Sequence, residues 1–223
     1  MTLWIASGIC VSLFAYLFGS IPTGYWLGRI LRGIDIRELG SGSTGATNVL
    51  RTLGKSPALA TLVIDLLKGF FAVTLARWIF GLPTISSATP SALDAGQVVP
   101  WAMAIAALLA LIGHARSIWI NFSGGKSAAT GLGVLIALSW QASFGAAAIF
   151  MVVLATSRIV SLSSIVAALS AALLAIVFRL PIAFVLVTMI GAAYVIARHR
   201  TNIRRIMAGT EPRLGNVHGR GQV

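Results

Sequence analysis

The chain has 223 residues, 57% of them hydrophobic and only 10% charged, with a mean hydropathy of +0.92. A soluble globular domain carries roughly a quarter charged residues, so that class is excluded and a polytopic membrane protein is indicated. Lys and Arg number 17 against 5 Asp and Glu, a formal net charge of +12 that suits anionic headgroups or anionic substrates, and the single cysteine, Cys10, excludes a disulfide framework and a cysteine-held metal.

Apolar runs near the ~20 residues that cross a bilayer predict seven membrane spans. They lie at 3–28, 58–80, 98–113, 127–141, 144–157, 162–179 and 182–198. The first run lacks the basic flank and small-residue cleavage site of a secretory leader, so it reads as a retained helix. Gly19 and Pro22 interrupt it and predict a kink or break. Asp65 and Lys68, three residues apart in the second run, are costly in lipid and read as an inward-facing pair that positions the helix. The 81–100 connection, rich in Pro, Ser and Thr, reads as irregular, with Asp94 a solvated acid. With no clear internal repeat, residues 1–223 are expected to form a single polytopic domain.

Basic residues set the orientation. Arg29, Arg32, Arg37, Arg51, Lys55, Arg116, Lys126, Arg158, Arg198, Arg200, Arg204, Arg205, Arg213 and Arg220 all fall in one set of loops and the tail, while the opposite loops hold Arg179 alone. Lys68 and Arg77 fall inside the second run. The positive-inside rule makes the first set cytoplasmic, with the N-terminus outside and the C-terminus in the cytoplasm.

Three polar segments on that side carry the chemistry. The first, GSGSTGATNVLR at 40–51, matches G-x-G-x-x-G at Gly40, Gly42 and Gly45. A dinucleotide fold is nevertheless excluded, because that motif needs a βαβ unit and the acid 20 residues on, Asp65, sits in an apolar run. What remains is a glycine-serine turn that offers N–H and hydroxyl donors from Ser41, Gly42 and Ser43. Asn48 and Arg51 follow on one helical face, and Arg51 can hold a phosphate bidentately.

The second segment, GHARSIWINFSGGKSAAT at 113–130, reads as a phosphate-binding loop. Gly124 and Gly125 let the backbone turn with positive φ and bring N–H groups to an anion; Lys126 adds a charge, Ser127 and Thr130 add hydroxyls. A helix starting near Ser127 aims its N-terminal dipole the same way. A Walker loop is excluded, since Ile120 stands where it needs glycine. The alternative is a glycine-rich connection with Lys126 snorkelling to headgroups.

The third, RHRTNIRRIMAGTEPRLG at 198–215, places His199, Asn202 and Arg205 near one helix face. Arg198, Arg200 and Arg204 are expected to meet headgroups, and Glu211, the only acid of this basic tail, to form a structural ion pair. Arg158 with Ser161, Ser163 and Ser164 marks a further cytoplasmic turn.

Together these segments resemble the bacterial acyl-phosphate:glycerol-3-phosphate acyltransferase family. Its pattern GSGNxGAxNxxR is matched by Gly40, Ser41, Gly42, Gly45, Ala46, Asn48 and Arg51, with Ser43 for asparagine. Its pattern GHxxPxFxxFxGGKG is matched by Gly113, His114, Phe122, Gly124, Gly125 and Lys126, with Ser117, Trp119 and Ser127 at the departures. HxxNxxRLxxGxE is matched by His199, Asn202, Arg205, Gly209 and Glu211, with Ile206 for leucine.

The resemblance implies seven membrane helices in the bacterial inner membrane and an active site on the cytoplasmic face. It implies acyl transfer from acyl phosphate to the 1-hydroxyl of glycerol 3-phosphate, giving lysophosphatidate and inorganic phosphate. The implied partners are these two substrates and membrane lipid, with no nucleic acid, no cofactor and no metal. Ser41, His199 and Asn202 are the expected catalytic residues. Ser41, Gly42, Ser43, Asn48, Arg51, Gly124, Gly125, Lys126, Ser127 and Arg205 are the expected phosphate-binding set. The His-x-x-x-x-Asp acyltransferase mechanism is unavailable, because Trp119 and Arg204 occupy the fifth positions after His114 and His199. A small-anion transporter is the rival reading; against it, the charges gather on one face rather than at midplane, and no paired broken helices are evident.

Overall fold

A computed structural model describes residues 1–215, so Arg220 of the basic tail lies outside the described residues. The chain forms helices α1 (Thr2–Gly19), α2 (Thr23–Arg32), α3 (Ala46–Thr52), α4 (Lys55–Gly81), α5 (Pro83–Ser86), α6 (Ala95–Ala115), α7 (Ala128–Leu138), α8 (Trp140–Ser157), α9 (Val160–Val177), α10 (Ile182–Arg198) and α11 (Arg200–Met207). Among the described residues the only isolated extended pairing is a bridge between Ser117 and Ser123.

The first apolar run breaks where expected. Pro22 has no N–H to continue α1, and α2 restarts as an amphipathic helix that buries Thr23, Gly24 and Gly28 while exposing Trp26 and Ile30. The break frees a carbonyl, and a partner comes from α4: Lys68 Nζ donates to Ile21 O at 2.8 Å. The same ammonium pairs with Asp65 Oδ1 at 2.8 Å, each side chain only 2% exposed, and the Thr23 hydroxyl donates to that carboxylate at 3.3 Å. The Asp65–Lys68 pair therefore positions a helix, as expected, by holding the broken one.

Five helices, α1, α4, α6, α8 and α9, are long and apolar enough to cross a membrane, and α10 with α11, bent by 60°, makes a sixth candidate. The fourth expected span, 127–141, is shorter in the structure. The 11-residue α7 rises about 16 Å, roughly half of a ~30 Å hydrocarbon core. At Ser139 the backbone is extended, φ −160°, and the serine side chain accepts from Ala142 N at 3.3 Å, so α8 is capped and starts at Trp140 instead of 144.

Close helix contacts rest on small residues. A side chain on Gly69 would meet the Thr130 carbonyl and one on Gly133 the Leu66 carbonyl, so α4 and α7 pack backbone against backbone. Gly19 against Ala110, and Gly113 against Tyr16, do the same for α1 and α6. The buried core between them includes Ala15, Val73, Ala107, Ala110 and Val187. This rigid bundle fixes the ends of α3, α4, α7, α9 and α10, where the basic loops converge.

Candidate active site

The 33–45 loop is ordered by one amide. Asn48, 1% exposed, donates from Nδ2 to Ile36 O at 3.0 Å and Leu39 O at 3.1 Å, and its Oδ1 accepts from Ser41 N at 2.8 Å. Gly40, φ 59°, lies so close to this amide that a Cβ would strike Asn48 Oδ1. The Asn48 side chain is thus spent on positioning Ser41, whose hydroxyl makes no hydrogen bond among the described residues. Arg51, a turn further along α3, also has no hydrogen bond there and lines the central cavity.

Arg37 ties this loop to the next. It grips Asp35 at 2.6 Å and donates from Nη1 to Ile120 O at 3.1 Å and Ser123 Oγ at 2.9 Å. The 116–127 loop then differs from the expected glycine nest. Neither Gly124 nor Gly125 has positive φ; Asn121, Phe122 and Ser127 do, at 57°, 54° and 62°. A Cβ on Gly124 would meet the His114 carbonyl and one on Gly125 the His114 ring, and Gly125 N donates to His114 O at 3.1 Å. The glycines let the loop lie flat on α6, and neither lines the cavity. Ser127 is fully buried and its hydroxyl donates to Leu111 O at 2.8 Å; Thr130 Oγ1 is buried without a partner and away from the cavity. Arg198, expected among headgroups, donates instead to Gly125 O at 3.3 and 3.2 Å and clamps the loop.

Lys126 is what this scaffold presents. It lines the cavity with no hydrogen bond among the described residues. Burial pulls its ammonium from the ordinary 10.5 to about 8; Glu211 opposes that, while Arg205, Arg51 and Arg198 add repulsion. Three arginines therefore act on this ammonium, with Glu211 the one acid opposing them among the described residues.

On the third side, His199 Nδ1 lies 2.8 Å from Val195 O. A carbonyl can only accept, so Nδ1 carries the proton and Nε2 is left as an acceptor at the cavity. Asn202 donates from Nδ2 to Glu211 Oε1 at 2.6 Å, and its Oδ1 is buried without a partner. Glu211 also accepts from Ser161 at 2.7 Å and Arg205 at 2.6 Å. It is the expected structural ion pair, and it ties α11 to α9. Arg205 is committed there and does not line the cavity.

Ser41, Ser43, Asn48, Arg51, Lys126, Ser127, His199 and Asn202 therefore converge on one cavity of about 670 Å³; Gly42, Gly124, Gly125 and Arg205 stand behind it. Below this cationic head the lining turns apolar, with Leu62, Leu132, Leu135, Phe150 and Val187. Asp65 and His114 also reach the lining. Sequence reasoning missed the loop-holding roles of Arg37 and Arg198. Among the described residues no group of three or more His, Cys, Asp and Glu is arranged to hold a metal ion.

Fold and site define a multi-pass helical membrane protein with a cavity for amphiphiles, an anionic head set against an apolar body. The sequence profile of glycerol-3-phosphate acyltransferases matches residues 9–209. Glycerol-3-phosphate acyltransferase 2 of Rhizobium johnstonii is 57% identical over 219 residues, 97% of this chain and 100% of that protein. The glycerol-3-phosphate acyltransferase of Acaryochloris marina is 51% identical over 215 residues, 96% of each chain. The crystal structure of PlsY (YgiH), an integral membrane glycerol 3-phosphate acyltransferase in its glycerol 3-phosphate form, superposes with a TM-score of 0.83 at 34% identity, covering 95% of this chain and 97% of that one. The chain belongs to the glycerol-3-phosphate acyltransferase family.

Proposed function

We infer that this enzyme transfers a fatty acyl group from acyl phosphate to the 1-hydroxyl of glycerol 3-phosphate, releasing lysophosphatidate and inorganic phosphate. The observation that carries the reading is the continuity of the cationic head, Arg51 and Lys126, with an apolar body inside a single cavity. One end suits two compact phosphates, the other a fatty chain. Glycerol 3-phosphate and lysophosphatidic acid forms of the solved relative support the same acceptor and product.

Arg51 and Lys126 offset charge on the phosphates, and the Ser41 hydroxyl adds a donor. His199 Nε2 and Asn202 Oδ1 are two acceptors at that end, suited to holding the attacking hydroxyl. As its oxygen bonds the acyl carbon, the bond from that carbon to the phosphate oxygen breaks, and the hydroxyl proton ends on the released phosphate. The donor is already activated, so alignment and charge stabilisation suffice without a protein nucleophile. Asn48, Ser127, Gly42, Gly124, Gly125 and Arg205 serve the phosphate site by shaping it. The molecule acts as one domain with seven passes, α7 counting as a partial one, in the bacterial inner membrane with the cavity mouth in the cytoplasm; the one-sided basic loops support this.

Purified protein in detergent, given acyl phosphate and glycerol 3-phosphate, should form lysophosphatidate and inorganic phosphate in equal amounts. Acyl coenzyme A should give little product. Comparable turnover with the thioester would remove acyl phosphate as the donor.

A further inference from the structure

The cavity has a floor. Ser161, Ser164, Ala168 and Ala171 line it from α9, spaced as one helical stripe, and Val187, Gly191 and Val195 do so from α10, with His199 just past its end. The first stripe covers about 15 Å and the second about 18 Å at 1.5 Å per residue. Leu138, about 15 Å along α7, and Ala146, about 16 Å from the far end of α8, line the cavity at a similar depth; Leu138 shares a buried cluster with Val187, and Ala146 another with Ala171. Leu138, Ala146, Ala171 and Val187 are 9%, 4%, 8% and 5% exposed, and Leu174 and Leu180 pack behind Ala146 and Ala171. The side of the cavity is different: Leu59 and Leu62 of α4 and Met151 of α8 are 62%, 42% and 60% exposed. The slot is open toward lipid along its flank and closed at its depth.

We propose that the layer formed by Leu138, Ala146, Ala171 and Val187 sets the acyl-chain length this enzyme prefers, a specificity that rests on the acyl-phosphate reading above. Carbon–carbon bonds of about 1.5 Å advance an extended chain about 1.3 Å per carbon, so about twelve to fourteen carbons fill the slot. A decanoyl chain stops short of the floor, whereas a hexadecanoyl chain meets it and must turn out through the flank. Two of the four floor residues are alanines, so the depth can be changed in either direction by single substitutions.

The test compares kcat/KM for hexadecanoyl and decanoyl phosphate in purified protein. Ala171→Leu raises the floor and should lower the hexadecanoyl-to-decanoyl ratio about tenfold, the scale of one or two methylenes in a pocket. Leu138→Ala lowers the floor and should raise that ratio severalfold. Leu173→Ala, on the exposed face of α9 outside the cavity, should leave it at the parent value. If Ala171→Leu does not fold, Leu138→Ala decides alone. Unchanged ratios in folded variants of an active parent would overturn the floor and leave the donor standing. A parent that uses neither acyl phosphate would overturn the donor, and the proposal with it.

Discussion

Lys126 is held at about 8 by burial, against the pull of Glu211, with Arg205, Arg51 and Arg198 pressing the same way as burial. An anion bound beside it favours the charged amine, so binding takes up a proton wherever the free amine is neutral. The anion-binding contribution is thus complete below about pH 8 and lost as pH rises through it. We expect kcat/KM to fall on that limb, and Lys126→Arg, which stays charged, to move the limb to higher pH. An unmoved limb would assign it to another group. At neutral pH, Lys126→Ala and Arg51→Ala should each cost about tenfold to a hundredfold in kcat/KM, the loss of one or two charge-assisted contacts. Arg200→Ala, exposed and outside the cavity, should cost less than about twofold. Equal losses from all three would point to general lipid electrostatics.

The difference between Arg51 and Lys126, which line the cavity, and Arg198, which holds a loop, is a matter of distance along the chain. A cation next to a glycine turn is a local pattern. The Arg198 contact with Gly125 joins residues 73 apart, and the Arg37 contact with Ser123 joins residues 86 apart. Only the fold creates those pairs. Local reading also gave Gly124 and Gly125 the wrong reason: both are needed for the close approach to His114, and the left-handed conformations of the loop fall on Asn121, Phe122 and Ser127.

Helix elements obey the same division. The break at Pro22 could be foreseen, because proline removes its own N–H. The early end of α7 could not be read from an apolar run that continues to Ala137 and Leu138 and resumes at Trp140, although Ser139 is a capping residue. What holds the first break is the buried pair on α4. Lys68→Met should destabilise the protein by about 3–5 kcal/mol, because it leaves the buried Asp65 carboxylate without its ammonium, with only the Thr23 hydroxyl and the His114 ring beside it. Replacing both partners, Asp65→Leu with Lys68→Met, should cost less than the single change, since no buried charge remains. Thermal unfolding in one detergent ranks the two. A double variant less stable than the single would mean that the Thr23 and Ile21 contacts, rather than charge pairing, hold the helix.

At the scale of the whole molecule, polarity separates the two ends of the bundle. The cavity mouth gathers Arg51, Lys126 and His199 near the start of α4, while Trp4, Phe80, Asp94 and Trp101 line a second, smaller cavity near its far end. The proposed orientation rests on the rule that basic residues are retained on the cytoplasmic side of a membrane, the side on which phosphorylated metabolites are also found. Two exposed serines report on the two ends: Ser56 opens α4 beside the mouth, and Ser87 follows α5 at the far end. With Cys10, exposed on α1, replaced by serine, a cysteine at position 87 should react in intact cells with a membrane-impermeant maleimide. One at position 56 should react only after the membrane is opened. The reverse pattern would turn the bundle over, put the cationic head outside, and cut the site off from a cytoplasmic supply of glycerol 3-phosphate, so the orientation is a condition for the chemistry as well as for the fold.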